Sequence, residues 1–282
     1  MRVFACLALA VLAPASAAEE ARWYVRIDND VVFGTDRWYT GGQRIARVKD
    51  GLELAIEQDI YTPDARDWNP GKDDRVPASR LLASGAWHDV GAGYYQTIEL
   101  ALGVRGPAAL GRQTTSAIHQ VISAPHVDWS RQLGNQIDAQ LALVRSQAVL
   151  SDRFRIHAGA SLGNQVTFAH AGFEVRAGDT TLYSAPLRFA PTPPFSSAAT
   201  QRWSAYAGAS IRAVARNELI SRNYDPLGPE LEPRRSLSRL AVGAAWIARW
   251  GTLSLDLVQD AKEFDAQTAP QRFGSLAIHL PF

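Results

Sequence analysis

"GSLAIHLPF" (274–282) decides the fold. Its Leu276, Ile278, Leu280 and Phe282 fall at every second position, so a strand built on it shows one apolar face. The same pattern runs outward from there along the chain. Leu253, Leu255 and Leu257 alternate with Ser254 and Asp256. Phe154, Ile156, Ala158 and Leu162 alternate with Arg153, Arg155 and His157. Ile98, Leu100, Leu102 and Val104 oppose Thr97 and Glu99, while Leu52, Leu54, Ile56 and Ile60 oppose Glu53, Glu57 and Asp59. Trp23, Val25 and Ile27 share a face near the start. Apolar residues toward lipid and charged residues toward a lumen give this signature in a transmembrane barrel. A soluble sandwich gives a similar local signal, but the number of segments, each about ten residues long, favours the membrane.

Twelve strands are expected, at 22–30, 41–49, 52–62, 79–90, 92–104, 136–147, 152–163, 165–177, 202–215, 236–249, 252–262 and 271–282. The even number closes an all-β, antiparallel transmembrane barrel with both ends on one side. A last strand ending on an aromatic, as at Phe282, resembles the terminal assembly signal of bacterial outer-membrane barrels. "KDG" (49–51), "DVGAG" (89–93) and "RWGT" (249–252) read as tight periplasmic turns. The longer connections 31–40, 63–78, 105–135 and 216–235 are expected to face outward. Residues 178–201, with "PLRFAPTPPF", form a long connection on the tight-turn side. Within 105–135, "GRQTTSAIHQVIS" (111–123) has no proline and places alanine, isoleucine and valine at helical spacing. It reads as a short helix in an extracellular loop, bounded by Gly111 and Pro125.

"MRVFACLALAVLAPASAAEE" (1–20) has a basic start, an apolar run and small residues for cleavage, the pattern of a secretory signal peptide over 1–18. One domain, 19–282, would follow. The apolar run is shorter than the roughly 20 residues of a membrane helix. Cys6 is the only cysteine, so the processed chain would hold no disulfide and no thiolate ligand or nucleophile. The chain has 29 Lys and Arg against 28 Asp and Glu; without Arg2 the counts are equal. That balance argues against nucleic acid as a partner. A monomer in the outer membrane is expected.

"RIDNDVVFGTDRWYTGG" (26–42) crowds Asp28, Asp30 and Asp36 beside a hydroxyl and two glycines. Asp30 and Asn29 offer oxygens to a hard cation such as calcium. Thr40, with Gly41 and Gly42, offers a hydroxyl and unhindered backbone N–H groups, donors suited to an oxyanion. A polar hairpin loop with ordinary turn chemistry is the other reading. His119, on the expected loop helix, carries an imidazole, a group that can take a proton from water; Thr115, four residues earlier, shares its face. "GASLG" (159–163) has the serine-hydrolase spacing around Ser161, but it leads from strand to strand, where that motif needs a strand-to-helix elbow.

In order along the chain come "NDVVFGTDRWYTGG" (29–42), "EQDIYTP" (57–63), "DDR" (73–75), "GVRGPAALG" (103–111), His119, "WSRQLGNQ" (129–136) and the terminal Phe282. Together they resemble the outer-membrane lipid A 3′-O-deacylases, over nearly the whole processed chain. The resemblance implies a twelve-stranded barrel and calcium-dependent hydrolysis of the 3′-linked acyloxyacyl ester of lipid A. It implies a site between the barrel wall and a loop helix, near the outer leaflet. His119 would be the general base, Asp30 a calcium ligand with Asn29 beside it, and Thr40 would position the ester with backbone donors near Gly41. Thr115 and Gln113 would meet the substrate. Relatives tend to carry glutamine at Thr115, lysine near Trp68 (Arg66 and Lys72 being the nearest bases here) and an acid at Gln136. An inactive lipid-binding barrel of the same lineage, a phospholipase and a passive pore remain as alternatives. A pore needs an open lumen, which Tyr95, Glu99, Arg153, Arg155 and His157 would fill.

Overall fold

The computed structural model describes residues 21–64, 74–91, 93–122, 126–179, 202–221 and 231–281. The expected signal peptide, Arg66, Trp68, Lys72, nearly all of 178–201 and Phe282 lie outside these residues. The strands are β1 (Arg22–Asn29), β2 (Trp38–Lys49), β3 (Leu52–Thr62), β4 (Ala78–Gly91), β5 (Tyr94–Arg105) and β6 (Gln136–Val149). They continue as β7 (Ser151–Gly163), β8 (Val166–Gly178), β9 (Arg202–Asn217), β10 (Ser236–Ala248), β11 (Gly251–Asp260) and β12 (Gln271–Pro281). Each pairs antiparallel with its chain neighbours, and β12 returns to β1 with Asn29 opposite Gly274, closing the barrel. Closure leaves no sheet edge, and in hydrocarbon each unpaired backbone group costs several kcal/mol.

All twelve expected strands are present. β2 begins at Trp38, ahead of the expected residue 41, because a bulge between Tyr39 and Gly41 interrupts the period-two pattern. The β2–β3 turn has positive φ at both Asp50 (52°) and Gly51 (76°), the requirement of a type I′ hairpin.

Along β3 and β5 the outer face carries Leu54, Ile56, Leu100 and Leu102, each more than half exposed and so turned to lipid. The inner face is charged and dry. Arg44 on β2 reaches Glu53 and Glu57 at 2.6 Å and Glu99 at 3.1 Å. Arg80 meets Asp138 at 2.6 Å, Arg239 meets Asp260 at 2.6 Å, and the Tyr206 hydroxyl donates to Asp256 at 2.7 Å. Charges buried this way are tolerable because each has a partner. Tyr95, Glu99, Arg155 and His157 are buried inside as expected, whereas Arg153 is exposed at the rim. Ser161 is also buried in this wall, on a strand, without the elbow a nucleophile needs.

At the end bearing the long loops, Trp38, Ile220, Leu231 and Phe264 pack together. Arg75 donates to the Leu219 carbonyl at 3.0 Å and stands 3.5 Å from Glu263, tying two loops across the mouth. The β5–β6 connection holds a 3-10 turn (Pro107–Ala109) and then α1 (Gly111–Ile122), the short helix expected there.

Candidate active site on the outer wall

The site begins with an anomaly of burial. On the outer face of β3, Leu54 and Ile56 are 59% and 61% exposed, yet Ile60 and Thr62, further up the same face, are 5% and 0% exposed. The cover is α1, which packs on β3 and β4 from outside the barrel. Gln58 donates its amide to the Ala109 carbonyl at 2.5 Å, fixing the turn that leads into the helix. Gly111 lies so close on Ser79 and the Trp129 ring that a Cβ there would collide with both. Thr115 and His119, one turn apart, are both buried on the face that meets the wall. Gln113 is exposed on another face of the helix.

The "YTGG" stretch divides across the wall. Tyr39 turns inward and donates its hydroxyl to Asp28 at 2.8 Å; Gly42 is vacant beneath it because a Cβ would strike that hydroxyl. The bulge sends Thr40 the other way, to the outer side, where its hydroxyl meets that of Thr62 at 2.5 Å. Gly41 follows, facing Asn29 across the β1–β2 ladder. Asp28, grouped with Asp30 and Asp36 by the sequence, therefore belongs to the lumen, where Arg26 stands 3.4 Å away.

The loop between β1 and β2 forms the other side of the site. The Asn29 side chain accepts the Val31 N–H at 2.7 Å and shapes a 3-10 turn, Val31–Phe33. That turn lies on the outer face of β12: a Cβ on Gly274 would be 2.6 Å from Val32 Cγ2. Asp30 is 1% exposed and accepts the Arg37 N–H at 2.9 Å. Burial pushes its carboxyl up to about 8, against the pull of that hydrogen bond, and neighbouring Asp36 adds to the rise. Asp36 stands 3.5 Å from His119 Nε2. Burial raises its carboxyl too, His119 opposes the rise and Asp64 adds to it.

The structure thus gathers His119 and Asp36 over the top of β2 and β3, with Thr40 on the wall below and Asp30 in the same loop as Asp36. Among the described residues, no group of three or more His, Cys, Asp or Glu converges on one point. Asp36, Thr62 and Gln58 were missed as site residues. Asp36 depends on how its loop folds, and the other two depend on the helix that covers a nominally lipid-facing strip.

A closed barrel with an aliphatic outer belt and a charged, filled interior is an outer-membrane protein. A family model for the outer-membrane protein LpxR matches residues 3–282. The chain belongs to the LpxR family, the lipid A 3′-O-deacylase family its motifs resemble. Among solved structures it is similar to LpxR from Salmonella typhimurium, with 19% identity and a TM-score of 0.78, over 93% of this chain and 100% of that one. The β domain of the Bordetella autotransporter BrkA covers 94% of the chain at 12% identity, with a TM-score of 0.45. No curated protein sequence matches the chain.

Proposed function

We propose that the chain hydrolyses the 3′-linked acyloxyacyl ester of lipid A in the outer leaflet, with His119 as general base and calcium as cofactor. The observation that carries this reading is a histidine buried at 5% exposure between a loop helix and the outer barrel wall, where a lipid headgroup would lie. His119 takes a proton from water, and the hydroxide oxygen bonds to the ester carbonyl carbon. Negative charge passes to the carbonyl oxygen. The Thr40 hydroxyl is one donor for it, with the backbone beside side-chain-free Gly41. The Thr115 hydroxyl is another, being buried without a hydrogen-bond partner among the described residues. On collapse the C–O bond to the sugar breaks, and the sugar oxygen takes the proton from His119. The products are the sugar hydroxyl and the free acyloxyacyl acid. Gln113, exposed on the helix, would face the headgroup and not the reacting carbon.

Calcium fits this loop on physical grounds. A carboxyl buried as deeply as Asp30, beside a second acid, is one that a cation would ionise. With few acids converging, carbonyl oxygens would complete the shell, which suits calcium better than a metal that selects nitrogen or sulfur. Asp30 would hold the ion, with Asn29 shaping the turn, and bound calcium would supply positive charge toward the developing oxyanion.

Mass spectrometry of lipid A from cells expressing the protein or its His119→Ala variant, with calcium or a chelator, tests the reading. Loss of the 3′-linked acyl groups is expected only with His119 and calcium both present. Unchanged lipid A from a folded, membrane-inserted barrel would overturn it. Glycerophospholipids offered alongside distinguish a phospholipase, and inertness toward both would leave a lipid-binding barrel.

A further inference from the structure

We propose that Asp36 is the positioning residue of His119, holding the imidazole and stabilising the cation it becomes on taking the proton from water. This rests on the proposed hydrolysis, to which it adds a residue that the sequence marked only as one acid of a crowded loop. Three observations carry it. First, Asp36 Oδ2 stands 3.5 Å from His119 Nε2; the histidine side chain is 5% exposed and the aspartate 25%, so water screens the pair less than it would on an open surface. Second, the cation next to Asp36 in sequence is already committed: Arg37 reaches Asp64 at 2.7 Å and lies 4.4 Å over the Trp38 ring. Third, Asp36 Oδ1 is buried without a hydrogen-bond partner among the described residues. A carboxylate oxygen enclosed in this way is costly unless its charge meets a cation.

The charged groups that face the pair come from three elements. His119 sits in the last turn of α1, whose carbonyl ends favour an imidazolium. Asp30 shares the loop with Asp36, and Asp64 lies beyond the end of β3. In the hydrolysis, the proton from water makes His119 positive at the moment the ester oxygen becomes negative. A carboxylate 3.5 Å away stabilises that positive charge while leaving the nucleophile untouched. Asp36 touches neither the ester nor the water; it acts through the ring.

The test uses the full barrel refolded in detergent at saturating calcium, with lipid A as substrate and Asp36→Asn and Asp36→Glu as variants. Asp36→Asn is expected to lower kcat roughly tenfold to a hundredfold, part of the 10²–10⁴ a positioned base supplies, with KM little changed. The acid limb of its pH–rate profile is expected to move to lower pH, since removing a neighbouring negative charge makes the imidazole a weaker base. Asp36→Glu should restore part of both. A second readout is independent of turnover: NMR of isotope-labelled histidine should show His119 titrating at lower pH in Asp36→Asn than in the parent. If the parent cleaves lipid A and Asp36→Asn keeps its kcat and acid limb, Asp36 has no such role. If the parent cleaves nothing but the His119 titration still moves, the assigned reaction fails and the pairing stands. An unmoved titration overturns the pairing in either case.

Discussion

Burial pushes the Asp30 carboxyl up to about 8, and on the proposed calcium reading its proton would govern how the loop answers to the ion. Below this pH the ion has to displace the proton; above it the carboxylate is already free. Half-saturating calcium is therefore expected to fall about tenfold per pH unit on approaching pH 8 from below, and then to level off. Calorimetric titration of the detergent-solubilised barrel at several pH values measures this, and a flat response would overturn Asp30 as a calcium ligand. The residues of this site were legible to different depths. His119 and Thr115 could be read because four residues on a helix share a face, whatever that face meets. Asp30 and Thr40 stood out as oxygen donors beside glycines. The separation of Asp28 from its acidic neighbours was hidden: it needs the parity of β1, which sends Asp28 to the lumen while the chain leaves the strand at Asp30.

At the scale of elements, the two sides of the candidate site are held by close backbone approach. α1 rests on Ser79 through Gly111, and the Val31–Phe33 turn rests on β12 through Gly274. A leucine at 274 would occupy the volume of Val32. Overpacking of this kind costs about 1–3 kcal/mol, and lifting the turn displaces the loop that carries Asp30 and Asp36. Gly274→Leu is expected to slow lipid A hydrolysis about tenfold, equivalent to ~1.4 kcal/mol in the barrier, while the barrel keeps its compact, heat-sensitive migration in gels. An unchanged rate would show that β12 does not set the site. Strand alternation made the wall legible, since period two survives wherever one face meets lipid. The bulge at Tyr39 was not legible, because an extra residue leaves no compositional trace and only the pairing of Tyr39 with Tyr61 and of Gly41 with Ile60 reveals it. Nor could the sequence tell that Ile60 and Thr62 face a helix and not acyl chains, since both readings want the same apolar strip.

At the scale of the whole molecule, side chains fill the interior among the described residues. Arg44 and its three glutamates fill the lumen beside β2 to β5, and the loops knotted by Arg75 and the Trp38 cluster pack at the mouth. Liposomes carrying the barrel are expected to admit small sugars no faster than bare ones in a swelling assay. Rapid entry would mean the charged interior parts in the membrane. The candidate site does not need a route through the lumen, because it lies on the outer wall under α1. In the proposed hydrolysis the lipid would arrive by lateral diffusion within the leaflet, tails still embedded, and the deacylated lipid would leave the same way. Encounter is then a two-dimensional problem. The turnover rate should follow the mole fraction of lipid A in the surface around the protein, and stay indifferent to how many vesicles or cells share the suspension.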